Sequence, residues 1–219
     1  MTEEVNSKTG LPMLDEAEKA KNAKGAVAAG IVLNLVFTAV GGGIAWAVTK
    51  WGSTSAYDAK ITTLRTLDPN FMYAYLACVV FAYVVVFLNF FPVFYKEQVM
   101  RGGNLRANQF IFRLAAENAD ESSAVVLHED GDLGLYNRAN RGIYHFLENC
   151  LPLVVSLPLG FWTYPFPTFV CVCVYCFGRI VYQVGYTLGG FGLHLPGFMC
   201  DRGATFTMIG LLAFAAYKF

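Results

Sequence analysis

The sequence predicts an all-α fold, an integral membrane bundle of five transmembrane helices. Apolar residues make up 56% of the 219-residue chain and charged residues only 15%, whereas an ordinary soluble domain has roughly 25% charged residues. Mean hydropathy is +0.45, and the charges cluster between long apolar segments. The net charge is zero, so the composition gives no indication of a nucleic-acid partner.

Five segments approach the roughly 20 mostly apolar residues that a helix needs to cross a hydrocarbon layer of about 30 Å. They are Ala26–Thr49, Phe71–Tyr95, Ile143–Phe161, Pro167–Leu188 and Ala204–Tyr217. The last is short, and its helix could extend back across Arg202. Gly41–Gly43 in the first segment permits close contact with a neighbouring helix. Pro152 and Pro158 predict a kink in the third.

The domain organisation follows from these segments. Residues 1–25 form a polar tail with neither a secretory signal nor an arginine-rich transit peptide, so the helix at 26–49 is predicted to be retained. Residues 71–219 form the main membrane domain, with a long loop at 96–137. Eleven lysines and arginines lie on the side of the tail and this loop, against four on the other side. This bias predicts a cytosolic N-terminus.

The cysteines and one acidic loop raise the question of a metal. Cys171, Cys173 and Cys176 could hold a soft metal, but they lie in an apolar run without nearby histidine or acidic partners, which favours packing. Disulfides are not expected. The His128–Asp132 segment could be imagined as a calcium loop, but it lacks EF-hand spacing, and a polar turn is the preferred interpretation. We therefore expect no metal.

Two predicted helices carry polar residues on one face, although an ionisable group at the centre of a membrane helix costs roughly 2.5–3.5 kcal/mol. The third has Arg141, His145 and Glu148 at i, i+4 and i+7. The fourth has Arg179, Tyr182 and Tyr186 at i, i+3 and i+7. The third helix enters from the cytosol and the fourth returns to it, so both faces lie at the same end.

Arg202, at the start of the fifth helix, joins this end of the bundle. Together these residues suit an anion with a free amino group: the arginines would bind carboxylates or a thiolate, and Glu148 the ammonium. The alternative is structural, with Arg141 and Glu148 pairing with each other and with Arg179, and Arg202 snorkelling at a helix end.

The motifs resemble those of the MAPEG family, the membrane-associated proteins of eicosanoid and glutathione metabolism. Its Arg-Ala-x-x-Asn-x-x-Glu signature, followed by proline, is similar to the segment from Arg141 to Glu148 and Pro152, with Gly142 for alanine and His145 for asparagine. Gly-Arg and a later tyrosine match Gly178, Arg179 and Tyr186, and Tyr182 agrees with some members. Arg202-Gly-Ala is similar to the opening of the last helix in the third type of microsomal glutathione transferase.

The resemblance implies a four-helix core, here with an added N-terminal helix, in a homotrimer that binds glutathione between subunits. It implies a glutathione transferase or peroxidase acting on lipophilic electrophiles or lipid hydroperoxides presented from the membrane lipids. Arg202 would activate the thiol, and Arg101 would reach the site from a neighbouring subunit. The residues implied to bind glutathione are Arg141, His145, Glu148, Arg179, Tyr182 and Tyr186.

The sequence also departs from the family. It has the added helix, a longer loop, and fifteen residues between Tyr186 and Arg202. Alternatives therefore stay open: a non-catalytic scaffold on the same fold, a structural subunit of a larger membrane complex or, with less support, a transporter. The expected location is the endoplasmic reticulum, with the mitochondrial outer membrane as the alternative.

Overall fold

The computed structural model describes residues 11, 13–100, 109–115 and 124–219. Within this part of the chain, eight α-helices account for most residues. A small antiparallel hairpin pairs β1 (Phe112–Leu114) with β2 (Val125–Leu127). The helices are α1 (Glu16–Trp51), α2 (Thr54–Leu67), α3 (Met72–Phe90), α4 (Val93–Val99), α5 (Gly131–Asn149), α6 (Leu151–Thr163), α7 (Pro165–Gly189) and α8 (Leu195–Tyr217).

Four helical segments in the described residues are long and apolar enough to cross a membrane. Three of them are α1, α7 and α8. The fourth is the Pro69–Val99 segment, which contains α3 and α4. The helices α5 and α6 pass the same test as a pair, which brings the number of spans to five if the pair is one span. These segments confirm the predicted all-α membrane bundle.

The α5–α6 pair is bent by 45°. The break falls at Cys150, and Pro152 lies in the first turn of α6, where a missing N–H costs no helical hydrogen bond. Pro158 remains inside a continuous α6. A proline kink is thus present near Pro152, and the helix does not break at Pro158.

Several helices differ from the segments predicted by hydropathy. Helix α1 begins at Glu16 rather than Ala26, because its first turns are polar and do not register in a hydropathy pattern. Helix α5 begins at Gly131 rather than Ile143, because its first turns bury residues such as Tyr136 and Asn140 against the protein instead of lipid. Helix α8 begins at Leu195 rather than Ala204, so Arg202 lies within it. Helix α2 occupies a polar connection for which no helix was predicted.

The buried core lies between α3 and α5–α8. Its central cluster combines side chains from all five helices: Leu88, Phe146, Leu153, Cys171, Tyr175, Ala204 and Met208. All six cysteines of the chain lie in the described residues, and all are free thiols. Because Cys171 and Cys176 are buried among apolar side chains, they serve as packing residues, as the sequence indicated.

Helix α1 lies outside this core and buries only Ala26 and Gly30. A side chain at Gly30 would collide with the ring of Phe90, so this glycine sets the approach of α1. The close contact that Gly41–Gly43 would permit is not made within the described residues, since a Cβ added at each meets no atom within 4 Å. At the polar end of α1, Nζ of Lys19 lies 2.6 Å from Oδ2 of Asp132 in the first turn of α5.

Candidate functional site

The polar residues meet where α7 crosses α8 and α5. The crossing of α7 and α8 is close because glycines face each other: a Cβ on Gly178 would lie 2.8 Å from the backbone of Asp201 and Gly197, and one on Gly197 would collide with the backbone of Tyr182. On α5, a Cβ on Gly142 would collide with the side chain of Gln183. Glycine at these positions brings three polar helix faces within hydrogen-bonding distance.

The centre of the crossing is an ion pair between Arg179 of α7 and Asp201 of α8. Nη1 of Arg179 donates to Oδ2 of Asp201 at 2.8 Å, and both side chains are 0% exposed. The second oxygen, Oδ1, accepts from Nε of Arg202 at 2.8 Å. One carboxylate therefore serves two guanidinium groups, and these three residues together carry an excess of one positive charge.

His145 of α5 connects this ion pair to the aromatic side chains of α7. Nη1 of Arg179 lies 3.1 Å from Nδ1 of His145, and Nη2 donates to the carbonyl of Gly142 at 3.1 Å. A guanidinium can only donate, so Nδ1 must accept, which places the ring proton of neutral His145 on Nε2. The His145 ring also stacks on Tyr182, with centroids 4.6 Å apart.

Next to this cluster is an open cleft of about 480 Å³. Helix α5 contributes Arg141 and His145, helix α7 contributes Tyr182 and Tyr186, and the rest of the lining comes from the turn after α7 and the start of α8. Gly190 ends α7 with a φ of +64°, which only glycine adopts without strain. The remaining lining residues are Phe191, Gly192, His194, Leu195 and Phe198.

Of the residues predicted from the sequence, Arg141, His145, Tyr182 and Tyr186 line this cleft. Glu148 does not line it, but its carboxylate accepts from both terminal nitrogens of Arg141, at 2.9 and 3.2 Å. Both partners of this ion pair are exposed on the surface of the single chain, at 41% for Arg141 and 52% for Glu148. The predicted pairing of these two side chains is therefore present.

Two other predicted residues lie behind the cleft. Arg179 is fully buried in the ion pair with Asp201. Arg202 packs against Phe198, a lining residue, with its guanidinium carbon 5.5 Å from the ring centroid. Arg101 lies outside the described residues.

Asp201, Gln183 and His194 belong to this region, although the sequence analysis did not single them out. Asp201 was missed because the last helix was predicted to begin at Ala204; a helix drawn from Leu195 would have shown an acid among apolar residues. Gln183 donates from Nε2 to the carbonyl of Ala139 at 2.7 Å. Among the described residues, no group of three or more His, Cys, Asp and Glu side chains is arranged to hold a metal ion.

The fold and the site define a class of protein: a multi-pass helical membrane protein with a basic and aromatic cleft at the crossing of three helices. The model of the MAPEG family matches residues 72–214, from α3 into α8, and the chain belongs to this family. Membership supports, in general terms, a membrane function related to glutathione or eicosanoids. No curated protein and no solved structure matches the chain. Helix α1 lies outside the matched residues and is an addition to the family core.

Proposed function

We propose that the protein is a glutathione transferase that also acts as a glutathione peroxidase at the same site. Glutathione would be the co-substrate, and a lipophilic electrophile or lipid hydroperoxide would arrive from the bilayer. The observation that carries the proposal is one guanidinium nitrogen without an acceptor. Nη2 of Arg202 is enclosed and has no acceptor among the described residues, whereas Nε is held by Asp201.

A buried guanidinium nitrogen without an acceptor favours an anionic ligand. A free thiol is mostly protonated near neutral pH, and a neighbouring guanidinium stabilises the thiolate and so lowers the pKa of the thiol. In this proposal Arg202 stabilises the glutathione thiolate, and Asp201 fixes the position of its guanidinium group. With an electrophile, the thiolate sulfur then forms an S–C bond and displaces the leaving group or adds across a double bond. With a hydroperoxide, the sulfur attacks the terminal oxygen, the O–O bond breaks, and the released alkoxide takes a proton to give the alcohol. A second glutathione then converts the resulting sulfenic acid to glutathione disulfide and water.

The cleft supplies the remaining contacts in this proposal. Arg141, His145, Tyr182 and Tyr186 line it and offer donors to the carboxylates of glutathione, and Glu148 would accept from the ammonium group. Arg179 takes an indirect part: its guanidinium is occupied by Asp201, and it holds His145 in a single tautomer. Arg101 would reach the site from a neighbouring subunit.

The exposed Arg141–Glu148 pair supports a homotrimer in which the site is completed between subunits. Charged side chains on the outside of a membrane bundle are costly unless protein or water covers them. A neighbouring copy of the chain would provide that cover. We further propose a cytosolic N-terminus and residence in the endoplasmic reticulum, with the mitochondrial outer membrane as the alternative.

A non-catalytic scaffold, or a subunit of a larger membrane complex, is the second candidate. Helix α1 favours it, because this added helix is long and apolar, yet only 6% of its membrane window is buried in the chain. Such a helix has most of its surface available for another membrane protein. The two candidates differ in one respect: only the first requires glutathione turnover.

The test is turnover by the purified protein in detergent, with 1-chloro-2,4-dinitrobenzene and cumene hydroperoxide as probes. We expect Arg202→Ala to lower kcat roughly 100-fold, the scale seen when one anion-stabilising donor is removed. The fold should survive, because Asp201 keeps Arg179 as its partner. Arg65→Ala, on the exposed surface of α2, is the charge-matched control. Normal turnover and thiolate yield in Arg202→Ala would overturn the role of Arg202.

A further inference from the structure

His194 directly precedes α8 and lines the cleft. It is enclosed by four aromatic rings: centroid distances are 5.1 Å to Tyr182, 5.9 Å to Tyr186, 5.1 Å to Phe191 and 6.2 Å to Phe198. The residue is only 9% exposed. This wall of the cleft is therefore a set of flat aromatic surfaces around one imidazole, with the hydroxyl groups of Tyr182 and Tyr186 as its other polar atoms.

The imidazole of His194 has no hydrogen-bond partner in the part of the chain that the structure describes. Its Nδ1 is enclosed and unsatisfied, and no side-chain hydrogen bond joins the ring to any described residue. A buried polar group without a partner costs about 1–3 kcal/mol, which a ligand or an ordered water can recover. The histidine lines the cleft, so a ligand in the cleft is within its reach.

We propose that this wall binds the second substrate, a planar conjugated carbonyl compound, and that His194 donates a hydrogen bond to the carbonyl oxygen. The inference rests on the proposed function for its chemistry, because glutathione would be the nucleophile. Planarity follows from the rings of Tyr186, Phe191 and Phe198, which favour stacked or edge contacts with a flat π system. The ring of Tyr182 is already covered by His145 and Arg179, so it supports this wall from behind. The polar partner in this wall is the imidazole of His194, because His145, the other imidazole that lines the cleft, is already held by Arg179.

The chemistry balances without an added oxidant or reductant. The glutathione thiolate forms an S–C bond at the β-carbon, and the C=C π pair moves toward the carbonyl, giving an enolate. His194 stabilises the negative oxygen by its hydrogen bond, as donors aimed at a developing oxyanion do. The proton that the thiol released to water when it ionised returns from water to the α-carbon. Arg202 and His194 thus act on different atoms, the sulfur and the carbonyl oxygen.

The first experiment needs no glutathione. Protein in nanodiscs is dialysed to equilibrium with trans-4-phenyl-3-buten-2-one or with its oxygen-free analogue trans-1-phenyl-1-butene, and empty nanodiscs correct for partitioning into lipid. We expect His194→Phe, which keeps an aromatic ring, to weaken binding of the ketone roughly 3- to 10-fold, the scale of one hydrogen bond. Binding of the hydrocarbon should stay within about twofold, since no hydrogen bond is lost.

Two further variants serve as controls for packing. His194→Gln keeps a donor and should retain ketone binding. His128 also has an enclosed Nδ1 without a partner, but it does not line the cleft, so His128→Phe should change neither ligand's binding. Equal loss of ketone and hydrocarbon binding in His194→Phe would show that the histidine only packs, and would overturn the inference. So would unchanged ketone binding.

The second experiment separates this inference from the proposed function. With glutathione present, His194→Phe should lower kcat/KM for the ketone about tenfold or more. Turnover of benzyl chloride should change little, because this substrate develops no oxyanion. Ketone binding that depends on His194 without glutathione turnover would keep the inference about the ligand and reject the transferase. Ketone turnover that does not depend on His194 would support the transferase and reject the inference about His194.

Discussion

Gly142 illustrates how one residue adapts the family motif to this chain. The family has alanine at this position, but here a Cβ would collide with the side chain of Gln183. That side chain is fully buried and is held by the carbonyl of Ala139, so it cannot easily move. The carbonyl of Gly142 also accepts from Arg179. Glycine at this position therefore leaves room for a glutamine that crosses from α7 to α5.

This pairing gives a double-mutant prediction. Gly142→Ala should lower the free energy of unfolding in mixed detergent micelles by about 1–3 kcal/mol, because the added methyl overpacks a filled space. In a Gln183→Ala background the same change should cost less than about 0.5 kcal/mol, or stabilise α5 through the better helix propensity of alanine. Gly210→Ala on α8, where a Cβ meets no described atom within 4 Å, is the control. Additive costs would show that the two residues do not interact.

Asp201 shows where sequence reasoning at single residues reached its limit. The arginines and tyrosines stood out because their spacing places them on helix faces. Asp201 did not, because hydropathy placed it before a helix rather than inside one. The structure makes it the common partner of Arg179 and Arg202. The arginines of the cluster could thus be predicted from the sequence. The carboxylate that holds them could not, because its prediction required the correct start of α8.

At the scale of elements, the site depends on how closely α7 and α8 approach. Gly178 and Gly197 leave no room for a Cβ between the two backbones. Helix α8 also starts early, at Leu195, and this explains the fifteen residues between Tyr186 and Arg202. The extra residues form the end of α7, the turn and the first turns of α8. As a result, Asp201 of α8 lies beside Arg179 of α7 rather than beside Tyr186, which is closer to the turn.

Gly197→Ala tests this approach. The added methyl would meet the backbone of Tyr182, which cannot move aside as a flexible side chain can, so the helices must separate and the Arg179–Asp201 pair must lengthen. We expect a loss of about 3 kcal/mol or more in the free energy of unfolding, since a buried ion pair is broken. The readout is thermal unfolding in detergent, with Gly210→Ala on the same helix as the control. A variant as stable as the parent would contradict the close crossing.

The sequence was most informative about elements that lipid surrounds. The five apolar segments all correspond to helices, because lipid-facing residues must be apolar along their whole length. Boundaries set by contacts within the protein were less predictable. The start of α5 packs on protein, whereas α2 buries no residue. Both contain polar residues, and hydropathy cannot distinguish such a helix from a loop.

For the whole molecule, the family core and the added helix have different relations to the membrane. The core buries side chains from α3 and α5–α8 against one another. Helix α1 touches it near Gly30 and through the Lys19–Asp132 pair, and leaves most of its surface to lipid or another protein. The basic cleft lies in the core, so its proposed chemistry does not depend on α1.

The central claim is that this cleft binds glutathione as the thiolate. The most direct measurement is glutathione binding to the purified protein in detergent, read together with the ultraviolet absorbance of the thiolate. We predict saturable binding with thiolate formation, weakened at least about tenfold in Arg141→Ala and Glu148→Ala by the loss of charge-assisted hydrogen bonds, and unchanged in Arg65→Ala. A folded sample that binds no glutathione, or equal loss in all three variants, would contradict the account and leave the polar residues with a structural role.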